Sequence, residues 1–178
     1  MKSIVPYKIA LLCFIMVLLE GIATVLTLPF TNDKDVVLHF LFVFLVLLVV
    51  FFEKSHTYYA ILFSLIFSIM IDILFTSVLG VYLFSYTITL YAIRIIMKVF
   101  HSNFFVAMFM VVIGVALMDH IVYLLNKIIL IHDIAWNDYI VDRFIPTIIW
   151  SVIIGIIFYL IFGKRLERWS DKKFGENK

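Results

Sequence analysis

From Phe40 to Phe52 every side chain is apolar. That run excludes most of what a chain can fold into. A barrel strand facing lipid on one side and a lumen on the other alternates apolar with polar residues, and this run does not alternate. A surface helix of a soluble protein carries one apolar stripe, and this run has no polar face. What is left is a helix surrounded on all sides by apolar material. Backbone amides in lipid must be satisfied within their own segment or within a closed barrel, so a helix is the form that fits.

The run is one of six. Apolar segments of about the length needed to cross a ~30 Å hydrocarbon core lie at about 8–28, 36–53, 57–75, 79–98, 104–130 and 144–163. Hydrophobic residues make up 65% of the 178-residue chain and charged residues 15%, with a mean hydropathy of +1.17. A soluble domain is about half apolar and about a quarter charged, so this chain has too few polar residues to cover a soluble globule. The reading is a single all-α membrane domain over 1–178, a six-helix bundle closed by a basic tail at 164–178. The first apolar stretch reads as a retained helix, because no small-x-small cleavage site with a polar chain behind it follows.

The joints are short and polar. Thr31 to Asp35 follows Pro29, Glu53 to His56 makes the second joint, and Thr76, Ser77 and Gly80 make a tight third turn. Lys98 to Asn103 is the fourth, and the longest runs from about Ile131 to Asp142. With the N-terminus in the cytoplasm, 11 of the 14 Lys and Arg residues fall on the inner side, leaving Lys34, Lys127 and Arg143 outside. The positive-inside rule therefore favours both termini in the cytoplasm. The tail would then rest on anionic headgroups or serve only as a topology anchor.

Ionisable residues inside spans are costly and point to a bundle interior or to a function. This chain has Glu20, Asp72, Asp119 and His120, with Asn126 and Lys127 nearer the end of the fifth span. Asp119, Tyr123 and Asn126 share one helix face by their spacing. Counting rise along each span places Glu20, Asp72, Asp119 and Arg143 in the same, outer half of the bilayer. Two readings stand side by side. The four line one polar pocket or network, or each acid is protonated or hydrogen-bonded to a neighbouring helix and fixes packing. Arg143 is open between snorkelling to headgroups and pairing with an acid. Asp142 reads as an N-cap for the last span, with Pro146 in its first turn, where a missing N–H costs little. Gly80, just after a tight turn and eight residues from Asp72, allows a left-handed backbone or a close approach.

Catalytic patterns are absent from the sequence. There is no His-Glu-x-x-His and no Gly-x-Ser-x-Gly. His39, His56, His101, His120 and His132 are scattered over different segments, and the lone Cys13 cannot make an internal disulfide. No enzyme, metal site, cofactor or nucleic-acid partner is expected. Among small residues that let helices approach closely, Gly114, Ala116, Ser151 and Gly155 stand out, the last two four apart on one face.

Two segments carry a family resemblance. Asp72-Ile-Leu-Phe-Thr-Ser-Val-Leu-Gly-Val-Tyr82 is similar to the Asp…Gly-hydrophobic-Tyr hairpin of the MreD family. Val141-Asp-Arg-Phe-Ile-Pro-Thr-Ile-Ile149 resembles the Asp-Arg-Phe-Ile-Pro-Thr segment that opens the last span in its Firmicute members. The acid near the end of span one and Lys98-Val-Phe-His101 fit as well. The resemblance implies a multi-pass protein of the bacterial cytoplasmic membrane, with a fold similar to the substrate-binding S component of energy-coupling-factor transporters. It also implies a non-enzymatic role in the machinery for lateral peptidoglycan synthesis and rod shape. The partners it implies are the single-span protein MreC and, indirectly, RodA, a class B penicillin-binding protein and MreB, besides membrane lipids. On that resemblance Asp72, Gly80, Asp142, Arg143 and Pro146 are candidates for structure or partner contact. A reading of another class stays beside it: a small-molecule or lipid-precursor binding protein or transport subunit that uses the outer polar pocket.

Overall fold

In the computed structural model, residues 4–25, 36–54, 56–76, 78–130 and 135–175 are described. The Thr31–Asp35 joint, Ser77, His132 and Asp133 lie outside the described residues. Among the described residues every regular element is a helix: α1 Val5–Val25, α2 Phe40–Phe51, α3 Tyr59–Phe75, α4 Val81–Ile96, α5 Phe104–Ile128 and α6 Trp136–Phe174.

The uniformly apolar run is the centre of the molecule. Every residue of α2 from Leu41 to Phe51 is buried, and α2 touches each of the other five helices. Around it the neighbours follow in the order α1, α3, α4, α5, α6, each packing on the next. With 12 residues at about 1.5 Å each, α2 is roughly 18 Å long. It is shorter than the span expected at 36–53, because 36–39 run in as non-helical chain, held to α6 where the Val37 amide donates to Thr147 Oγ1 at 3.3 Å.

The five outer helices are sorted in the sense opposite to a soluble protein. Ser64, Ser68, Ser85, Thr89, Thr147 and Ser151 are buried, while Leu62, Ile73, Phe84, Phe105 and Ile149 are exposed by half or more of their surface. Apolar side chains outward and small polar ones inward is the arrangement that suits a lipid solvent. Three helices, α1, α5 and α6, are long and apolar enough to cross a membrane by length and composition; α2, α3 and α4 are shorter apolar helices. This is a membrane protein.

Close approach is bought with glycine at one point in particular. A Cβ on Gly114 would stand 2.8 Å from Ile93 Cδ1 and 3.2 Å from Phe42 Cε1, so a side chain there would have to push Ile93 and the Phe42 ring aside where α5 meets α4 and α2. Ser151 and Gly155 are both buried, and Gly155 faces Val111 and Met108 of α5. That small-residue pair packs α6 within the chain.

The last helix starts at Trp136 and continues to Phe174, reaching beyond the expected span at about 144–163 on both sides and into the basic 164–178 segment. Asp142 is therefore inside the helix and caps nothing. The backbone widens to π-helical geometry over Tyr139–Phe144, immediately before Pro146. A proline ring clashes with the carbonyl four residues back and offers it no N–H; a wider turn in front of Pro146 relieves both problems without ending the helix.

Candidate functional site

Buried carboxylates need partners, and among the described residues three of four such side chains, Glu20, Glu53 and Asp72, accept from backbone amides. Glu20 of α1 accepts from the Leu41 amide at 3.2 Å, at the start of α2. Glu53 accepts from the Ala60 amide at 2.6 Å, at the start of α3. Asp72 accepts from the amides of Gly80 and Tyr82 at 2.9 Å and of Leu83 at 3.2 Å, at the start of α4. The first N–H groups of a helix have no intrahelical partner, and in lipid no water supplies one. A carboxylate there satisfies them and complements the positive end of the helix dipole. Each acid belongs to the segment before the helix it caps, so each ties two helices together.

Gly80 makes the Asp72 cap possible. Its φ of 105° lies in the left-handed region, which turns the amides of α4 back toward α3 and which a Cβ would disfavour. Asp72 is thus committed to its own hairpin and does not join the acids of the neighbouring cluster directly.

Asp119 is the acid without a helix to cap. It sits on α5, 1% exposed, and among the described residues its partners are side chains. Tyr139 Oη donates to Oδ2 at 2.9 Å, and Arg143 donates to Oδ1 from Nε at 3.3 Å and from a terminal nitrogen at 3.2 Å. Arg143 is therefore paired with an acid, which decides between its two readings. The π-helical turn sets Tyr139 and Arg143, four residues apart, on the face toward α5.

Between Asp119 and Glu20 stands His39, a residue that sequence reasoning passed over as one of five scattered histidines. It is fully buried. Nδ1 is 3.6 Å from Glu20 Oε1 and Nε2 is 4.0 Å from Asp119 Oδ1. These are ion-pair separations and not hydrogen bonds, and neither nitrogen has a hydrogen-bond partner among the described residues. Tyr86 Oη donates to Glu20 Oε1 at 3.4 Å. One chain of contacts thus runs Tyr86–Glu20–His39–Asp119–Arg143 across the top of α2. The available signal was positional: His39 directly precedes the all-apolar run, at the same end as Glu20.

The other predicted residues form a separate group beside this chain. The His120 ring lies 5.0 Å from Trp136 and 6.0 Å from Phe144, and Tyr123 stacks on Tyr139 at 4.1 Å. Lys127 Nζ sits 5.8 Å from the Tyr123 ring centre. These contacts are an aromatic clasp that seats the first turns of α6 on α5. Asn126 is half-buried on the same stretch, Asp142 is half-buried within the π-helical turn, and Pro146 is buried just beyond it.

At the opposite end of α2 lies a pair that sequence reasoning counted only for topology. Arg94, 6% exposed, donates to Glu53 Oε2 at 2.5 Å, to the Thr57 carbonyl and to the Lys54 carbonyl at 3.4 Å. Its guanidinium also lies 3.9 Å from the Tyr58 ring centre.

Among the described residues Glu20, Glu53 and Asp72 cap helices, and Arg94 and Arg143 pair with Glu53 and Asp119. Fold and site define a membrane-embedded helical bundle whose charged groups are used to hold helices together. The family model described as rod shape-determining protein MreD matches residues 5–168. The rod shape-determining protein MreD of Bacillus subtilis (strain 168) is 32% identical over 168 residues, covering 92% of this chain and 95% of that protein. The chain belongs to the MreD family of rod shape-determining proteins. No solved structure matches it.

Proposed function

We propose that this chain is a membrane scaffold of the bacterial cell-wall elongation (Rod) complex, which binds MreC and helps to organise lateral peptidoglycan synthesis and rod shape. Six crossings with both termini in the cytoplasm is the topology that goes with this reading, and the S-component-like fold belongs to the same proposal. On that topology the His39 end of α2 faces outward and the Arg94 end inward. RodA, a class B penicillin-binding protein and MreB would be reached through MreC.

One observation carries the proposal. The buried acids and Arg94 and Arg143 are spent on partners inside the bundle, so the surface on offer to other molecules is mainly apolar helix face. On α1 alone, Tyr7, Leu11, Leu18 and Ile22 are each exposed by half or more. Such faces suit lipid, and another membrane helix would meet them by packing. The reading as a small-molecule or lipid-precursor transport subunit needs free polar groups at the His39 end, where Glu20 is held by the Leu41 amide and Tyr86 and Asp119 by Tyr139 and Arg143, leaving the His39 nitrogens as the groups without a hydrogen bond among the described residues.

The test is purification in detergent followed by mass spectrometry of everything retained. A single-span partner in stoichiometric amount is the expected result. A stoichiometric small ligand with no partner would sink the scaffold reading.

A further inference from the structure

At the Arg94 end, between the last turns of α2 and α4, there is a cavity of about 230 Å³. Sites for drug-sized molecules start at about 300 Å³, so this one suits a single small group. Its walls include Lys54, Arg94, Lys98 and Glu53, with Val50 and Met97 among the apolar residues. Both Glu53 oxygens are already used, one by the Ala60 amide and one by Arg94. The Arg94 guanidinium offsets the Glu53 charge, so the surplus positive charge at the cavity comes from Lys54 and Lys98. Lys54 and Lys98 are exposed, and among the described residues neither has an acidic partner. The net charge facing the cavity is positive.

The surroundings add to that field. Ser170 of α6 donates to the Phe52 carbonyl at 2.9 Å, which brings the last turns of α6 to this end of the molecule. Exposed Lys164, Arg165, Arg168 and Lys172 come with them, outnumbering the exposed Glu167 and Asp171 of the same turns. Val99 and Phe100, next to Lys98, are also exposed. A cationic rim over an apolar wall, at the end of the apolar helices, is the environment of a membrane headgroup layer.

We propose that this cavity binds a phosphate group, with Lys54 and Lys98 as the mobile cations that close on it and Arg94, held by Glu53, as the fixed one. Val50 and Met97 would take the apolar part of an ester. The chemistry is that of a phospholipid headgroup or of free phosphate, and the site is distinct from the polar cluster at the His39 end.

The experiment is native mass spectrometry of the full chain in detergent, titrated with phosphatidylglycerol and, separately, with phosphatidylcholine. The wild type should take phosphatidylglycerol at least about fivefold more tightly. Removing two lysines beside an anionic group should cost roughly tenfold or more, so K54Q/K98Q should lose that much and the single K98Q about fivefold. K172Q/K173Q removes the same charge from α6 and should change binding less than about twofold. Competition by millimolar inorganic phosphate would assign the site to the free anion; binding that phosphate does not displace would assign it to the lipid ester. Equal affinity for both lipids overturns the proposal. So does equal loss in the two double variants, which would mean general charge attraction. Unchanged binding in K54Q/K98Q and K98Q would mean that the lysines only answer the C-terminal dipoles of α2 and α4.

Discussion

The two ends of α2 solve one problem differently. At the Arg94 end a single guanidinium is clamped by a carboxylate at 2.5 Å, two carbonyls and an aromatic ring. At the His39 end the contacts are longer, from 2.9 Å for Tyr139 on Asp119 to 4.0 Å for His39 on Asp119, and the central imidazole has no hydrogen bond among the described residues. The first is a tight pair with little slack. The second is a network in which several groups share the charge, so the loss of one member is spread over the rest. The Arg94 end therefore sets stability, and the His39 end is the part that tolerates adjustment.

The largest effect is expected from Arg94→Gln. It strands Glu53 in a buried position, and breaking a buried pair by removing one partner costs about 3–5 kcal/mol. Thermal unfolding in detergent should show the variant poorly folded or not recovered; a near-normal melting temperature would break the comparison. Next comes the Asp119–Arg143 pair, where Arg143 keeps 19% of its side chain exposed. A double-mutant cycle of Asp119→Asn and Arg143→Gln should give a coupling of roughly 1–2 kcal/mol, within the range for neighbouring groups in one network. A coupling as large as the Arg94 effect would mean that the two ends are equivalent. Smallest is His39→Gln, expected at about 1 kcal/mol or less, since no hydrogen bond is lost and glutamine can offer a donor to either carboxylate. A loss above about 3 kcal/mol would show that the imidazole, not the arginine, is the keystone of that end.

Much of this was legible in the sequence where the contacts are local. Asp72 and Gly80 are close along the chain, and a tight turn with a glycine made their association readable. Arg143 could be narrowed to two roles from sequence, and only the fold chose between them. Helicity and a lipid environment followed from runs such as Phe40 to Phe52. The central position of α2 did not follow, because a helix apolar on all sides looks the same whether lipid or protein surrounds it. His39 was missed for a similar reason: its partners arrive from α1 and α5, and nothing beside it in the chain announces them. Asp142 misled because an Asp shortly before a proline is a good N-cap signal, while the structure spends that stretch on a π-helical turn inside a longer helix.

The central claim is that the buried charged groups work inward and that assembly with the partner happens on the outward apolar faces. Disulfide crosslinking tests it most directly, with single cysteines placed along each helix of a Cys13→Ser chain and along the MreC span. Crosslinks should recur at helical spacing on exposed positions of one or two helices, such as Leu11, Leu18 and Ile22 of α1, and be absent at buried positions such as Ile9 and Val17. No crosslink on any exposed face, in cells that still assemble the complex, would contradict the account.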